Sequence, residues 1–201
     1  PLERGSLVVF CRVNEAAQIL GRRSVALDLN RAFPGDRTGS LEARIAHALL
    51  EWLNDMDLTI DLHCFDLQTP VAALEFGRRC PHIDFFNPTQ VWRFDPFRRA
   101  NERKYLGSLG PILARSGKNT FAVEMDVIDH FEEMPRVIAG LRNVLQMLKM
   151  LPGHATRYSP PRYRRIEVTS DRAGIFIPIK VPFTRVKKGE PVGDLLSFRD
   201  L

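Results

Sequence analysis

The sequence has no run of about 18 apolar residues, so no membrane-spanning helix is expected. Its first ten residues, PLERGSLVVF, lack the basic start, apolar middle and small-residue cleavage site of a secretory signal. Cysteine is scarce: Cys11, Cys64 and Cys80 are the only three. An odd number without paired spacing argues against a disulfide scaffold and against a structural zinc knuckle. It fits a reducing, cytoplasmic setting in which the thiols fill the core. No internal repeat and no low-complexity tract is visible. The net charge is +5, yet there is no dense basic stripe with interleaved aromatics, and the one cluster, Arg157, Arg162, Arg164 and Arg165, reads as a solvated face. Neither a nucleic-acid nor a membrane partner is therefore expected. A mildly basic surface does favour small anionic substrates by steering.

What is present suits a globular protein. Of the 201 residues, 44% are hydrophobic and 26% charged, enough apolar material for a sizeable core. Ser6–Phe10 (SLVVF) reads as a short strand. Leu41, Ile45, Leu49 and Trp52 recur at helical spacing, and Ser40 is a suitable cap, so a helix is predicted over Leu41–Leu53, with Glu42 in the first turn, where the dipole favours an acid. Strands are predicted over Leu58–His63, Val71–Phe76 and Asn119–Met125. Arg98–Ser116 is helical in composition but broken by Gly107, Gly110 and Pro111, and a further helix is expected over Pro135–Leu151. Alternating strands and helices predict an α/β fold, a mixed sheet with helices on both faces, over residues 1–154. After Pro160-Pro161, short strand-like runs separated by turns predict a small all-β domain over residues 155–201.

Polar residues interrupt this pattern in three places. His63 ends an apolar strand, and ligands of open α/β sheets gather at the carboxyl ends of strands. Its ring can face a metal, with Asp61 on the same strand face behind it. It can equally be a satisfied buried histidine. Glu124 sits among Ala122, Val123 and Met125 in a strand that should be buried, which suits either a base of raised pKa or an ion pair with an arginine. Arg22, Arg23 and Arg31 flank Asp28-Leu29-Asn30, where guanidinium forks and the Asn30 amide can grip an oxyanion or carboxylate. The other histidines read as unremarkable. His130 and Glu133 have HxxE spacing, but without a third donor they make a weak metal candidate.

Together these strings resemble the succinylglutamate desuccinylase/aspartoacylase family, zinc-dependent deacylases with a carboxypeptidase-like fold. Asp28 to Gly35, DLNRAFPG, is similar to the family's DLNRxFPG signature. Val13-Asn14-Glu15-Ala16 resembles its VNPxA segment, with Glu15 for proline. Asp61-Leu62-His63 resembles a zinc-ligand motif, and Phe121 to Glu124 the strand carrying the catalytic glutamate. Asp171 to Phe176 and Val186 to Gly193 are similar to the family's C-terminal β domain. The resemblance implies His63 as one zinc ligand and Glu124 as the residue that takes and returns a proton. It implies Arg23 as the group facing the oxyanion, and Asn30 and Arg31 as the substrate grip. The implied reaction is hydrolysis of the amide of an N-acyl amino acid or related acylated amine.

In the family an HxxE motif precedes the VNPxA segment. None stands between Pro1 and Val13, so two of three zinc ligands are expected outside this chain, which alone should bind zinc weakly or not at all and be inactive. No residues between Tyr105 and Lys118 match the aspartate-selecting groups of aspartoacylases. The rival readings are a carboxypeptidase or amidase acting on peptides, and a non-catalytic relative that keeps the anion grip. An exposed sheet edge would allow self-association.

Overall fold

The computed structural model describes residues 2–64, 70–125, 132–166, 168–181 and 184–197. His130 lies outside the described residues. The chain divides into two units, residues 1–165 and 166–201.

The larger unit is built on five strands: β1 (Leu58–Cys64), β2 (Ala72–Phe76), β3 (Gln90–Phe94), β4 (Asn119–Met125) and β5 (Arg162–Arg164). Their order across the sheet is β1-β4-β2-β3-β5. Three pairings are parallel, β1 with β4, β2 with β3 and β3 with β5, while β2 runs antiparallel to β4. The sheet is thus mixed and mostly parallel, as the alternation of strands and helices predicts.

Residues alternate in side along each strand, and both faces are covered. One face packs Val71, Ala73, Val91, Phe121 and Val123 against α3 (Ile83–Phe86) and α5 (Met134–Met147), with Phe86 edge-on to Phe121 at 5.6 Å between ring centroids. Burial of each such aromatic ring contributes about 1.5–3 kcal/mol. The other face packs Leu74, Phe76, Phe94 and Ala122 against Tyr105 and Ala114, from a 3-10 segment (Ala100–Tyr105) and α4 (Leu109–Arg115).

Helix α2 spans Leu41–Leu53, with the Ser40 hydroxyl accepting from the Ala43 amide. The Pro135 helix starts one residue earlier than expected, at Met134, and ends at Met147. The strand expected over Ser6–Phe10 is not formed: these residues are exposed and unpaired, and the neighbouring anchor is the Glu3 amide on the Met150 carbonyl. β-propensity without an edge to pair with does not make a strand. Arg162–Arg164 joins the larger sheet beside β3. A charge cluster around the buried Asp84 fastens it: Arg162 Nη2 donates to Asp84 Oδ1 at 2.5 Å, and Arg79 and Arg157 donate to Asp84 Oδ2 at 2.8 and 3.1 Å.

In the smaller unit, β6 (Gly174–Pro178) and β7 (Gly193–Ser197) form an antiparallel pair. Among the described residues no helix is long and apolar enough to cross a membrane.

Candidate active site

The parallel register of β1 and β4 sets Asp61 beside Ala122 and His63 beside Glu124. In a parallel pair, partnered residues face the same side, so Asp61, His63 and Glu124 share the sheet face covered by Tyr105 and α4. On its other flank Glu124 is partnered by Ala72 of β2, whose methyl leaves room beside the carboxylate. His63 Nε2 donates to Asp61 Oδ2 at 2.8 Å, which orients the ring.

Burial resists the charge on His63, but the Asp61 hydrogen bond and the carboxylates of Asp61 and Glu124 outweigh it and raise its pKa. Burial pushes Glu124 up as well; the positive charges of His63, Arg165 and Arg23 oppose this and Asp61 adds to it, leaving the pKa above the ordinary glutamate value. A half-buried carboxyl of raised pKa next to an imidazole is a proton acceptor suited to near-neutral chemistry.

The DLNRAFPG string forms the facing loop. Asp28 caps a 3-10 turn (Leu29–Arg31) by accepting from the Asn30 amide at 2.9 Å. Its other oxygen takes Arg23 Nε and Nη2 at 3.1 and 3.0 Å, so Arg23 is aimed although its side chain is largely exposed. The Phe33-Pro34 bond is cis. Gly35 has φ +89, and a Cβ there would strike the α2 backbone at Ala43 and His47, so the turn needs glycine. Gly107 likewise lies against the Arg31 carbonyl, with no room for a side chain.

Asn30 Oδ1 accepts from the Leu109 amide at 3.0 Å. Arg31 Nη1 donates to the Asn30 carbonyl at 2.5 Å and to Ser108 Oγ at 2.9 Å, with its guanidinium 4.9 Å from the Tyr105 ring centroid. Arg165 donates to the Tyr105 hydroxyl at 3.0 Å and lies over Phe94 at 4.8 Å.

His63 and Glu124 are therefore side by side, Arg23 is within electrostatic reach of both, and Arg31 joins them through Tyr105 and Arg165. The sequence reading placed Arg165 in a solvated arginine cluster and did not single out Tyr105 or Ser108. Their signal is spatial: β5, α4 and the Asn30 turn meet only in the folded chain. Among the described residues no three His, Cys, Asp or Glu groups stand close enough to hold a metal ion. They supply one imidazole with a carboxylate behind it and do not complete a three-ligand zinc site.

Residues 3–73 match the Succinylglutamate desuccinylase/Aspartoacylase catalytic domain. The match takes in Arg23, Asn30, Arg31 and His63 and ends before β4. Among solved structures, the succinylglutamate desuccinylase/aspartoacylase of Rhodobacter sphaeroides superimposes with a TM-score of 0.75 at 19% identity, covering 94% of this chain and 62% of that one. The ectoine utilization protein EutE (DoeB) of Ruegeria pomeroyi, in a product-bound structure, gives 0.74 at 21% identity, covering 92% and 61%. An aspartoacylase family protein of Mesorhizobium loti gives 0.67 at 22%, covering 92% and 60%. At these identities the likeness is one of fold, and the chain spans about 60% of the length of each structure. No curated protein matches the chain in sequence.

Proposed function

We propose that this chain forms the larger part of a hydrolase that cleaves the amide bond between an acyl group and an amino acid or related amine. The observation that carries the proposal is the pairing of His63 with Glu124 on adjacent strands, opposite the Asp28–Arg31 turn. The family match over residues 3–73 supports it.

In this reading Glu124 accepts the proton of the attacking water, since its raised pKa suits transfer near neutral pH. The same carboxyl then returns the proton to the departing amine nitrogen. Arg23, steered by Asp28, faces the oxygen that gains negative charge, where a fixed cation contributes a few kcal/mol. Asn30 and Arg31 grip the substrate carboxylate or acyl carbonyl. Ser108 and Tyr105 hold the Arg31 fork in place, so its orientation is set before substrate arrives. Zinc belongs to this reading as a group to which His63 lends one donor; the described residues do not complete its site, and no step here is routed through it. The three unpaired cysteines support a cytoplasmic setting.

The test is a panel of N-acyl amino acids set against short peptides, assayed for released amine with the full-length protein and its Glu124→Gln variant. Release from the N-acyl amino acids, abolished by the substitution, is expected. Cleavage confined to peptides would make the protein a peptidase. Tight binding of carboxylates without turnover would make it a non-catalytic anion binder.

A further inference from the structure

Among the described residues Glu42 is the most completely buried acid of the larger unit, with no exposed surface. Among the described residues no lysine, arginine or histidine pairs with it. Every partner is a neutral donor. Oε1 accepts from the Val25 amide at 2.6 Å, the Ala26 amide at 3.3 Å and Asn14 Nδ2 at 3.3 Å, and Oε2 accepts from the Ala26 and Leu27 amides at 3.4 and 3.3 Å. Three consecutive backbone amides of one loop thus converge on one carboxylate.

The loop has little else to hold it. Val25 and Leu27 are 43% and 42% exposed, so apolar burial does not fix their backbone. The next residue is Asp28, which orients Arg23 through one oxygen and the Asn30 amide through the other. A buried anion without a counter-ion is costly. Here the charge-assisted bonds offset that cost and keep the carboxyl ionised: burial raises its pKa, the amide bonds lower it, and it stands at about 2.

We propose that Glu42 is a positioning residue of the site: by gathering the Val25–Leu27 amides it sets where Asp28 holds Arg23 and Asn30. The proposal deepens the deacylase reading and rests on it for its catalytic consequence. Its geometric content stands apart, because Glu42 anchors the loop whatever the substrate is.

The chemistry of the variants follows from the donors. Glutamine at position 42 would turn an N–H toward amide N–H groups, and aspartate would keep the charge but fall short by one methylene. The experiment has two readouts. The first is backbone amide exchange by mass spectrometry on the full-length protein, comparing wild type with Glu42→Gln and Glu42→Asp. Faster exchange at residues 25–31, in excess of the rise that lower global stability gives the β4 and α5 peptides, is expected. Unchanged exchange at 25–31, or acceleration spread evenly through the unit, overturns the proposal.

The second readout is a double-mutant cycle on kcat/KM with Asp28→Asn. Glu42→Gln alone should lower kcat/KM by roughly ten- to a hundredfold, the scale of a small misplacement of aligned groups. In the Asp28→Asn background it should cost little more, since both act through the same arginine and turn. Losses that multiply overturn the relay. Glu42→Asp recovering part of both the protection and the rate supports it, as does a partial exchange defect in that variant if Glu42→Gln fails to fold. Absence of any hydrolysis by the wild type would refute the deacylase reading, while the exchange arm would still decide the placement of the loop.

Discussion

Glu42 at the start of α2 and Glu124 at the end of β4 are both carboxylates withdrawn from water, and they titrate in opposite directions. Glu42 is wholly buried and is held down to about 2 because amides aim at it. Glu124 is less buried, yet burial pushes it up, with Asp61 adding to the rise, and the charges of His63, Arg165 and Arg23 do not offset it. Depth of burial therefore does not set the charge; the donors on hand do. The first carboxylate is committed to one state and shapes a loop, while the second is poised to exchange a proton. A third acid, Asp84, shows another solution: burial raises it, but the guanidinium groups of Arg162, Arg157 and Arg79 more than compensate and lower it.

Breaking this contrast at Glu124 should have the largest effect. Glu124→Gln is expected to reduce kcat by about a thousandfold, within the range for loss of a general base, without lowering the melting temperature, since the fold disfavours the ionised form there. Steady-state kinetics and thermal melts on the same preparation check both halves. Glu42→Gln should do the reverse, lowering the melting temperature clearly. The folded pKa of Glu42 lies below its usual 4.5, so its stabilisation is complete above about pH 4.5 and is lost as pH falls toward 2. The stability gap between wild type and Glu42→Gln, followed by urea unfolding at stepped pH, should be constant above that window and narrow within it. A gap that widens on acidification would reverse the assignment.

Removing a guanidinium from the third acid sharpens the comparison. Arg162→Ala leaves Asp84 with two exposed arginines and Glu75 with Arg93, and should cost about 3 kcal/mol in urea unfolding, the lower end for breaking a buried pair. The smallest effect is expected at Glu15, the first residue of α1 (Glu15–Ile19), capped by Asn14. Proline suits that position, and the exposed Arg12 pair at 3.7 Å contributes little. Glu15→Pro should change stability by no more than about 0.5 kcal/mol, toward the stable side.

Much of the local structure was legible in the sequence. The 3.6-residue spacing of Leu41, Ile45 and Leu49 carries α2 with its bounds, and the apolar runs around Asp61 and Glu124 give β1 and β4. Each rests on neighbours along the chain. The meeting of His63 with Glu124 is a register 61 positions apart, and periodicity within either strand says nothing of it. Glu42 was legible only as an acid suited to a helix start; that it reaches Val25–Leu27 depends on how the preceding loop folds back. Arg162–Arg164 and Gln90–Phe94 are short and arginine-bearing, so their strand character comes from pairing rather than from composition: Gln90–Phe94 lies between β2 and β5, and Arg162–Arg164 lies at the edge beside β3 with Arg162 on Asp84. For SLVVF the composition says strand, and the exposed, unpaired backbone shows that intrinsic preference alone is insufficient.

The reversal of β2 against β4 has a practical consequence. Because the parallel set of β1 and β4 points opposite to that of β2, β3 and β5, the carboxyl ends of β1 and β4 lie at one rim of the sheet, while the turn after β2 at Gly77–Arg78 lies at the other, where Arg78 ties down the Gly117 and Lys118 carbonyls ahead of β4. A fluorophore carried at Ser116, exposed on that far rim, would report on the molecule without crowding the reacting groups.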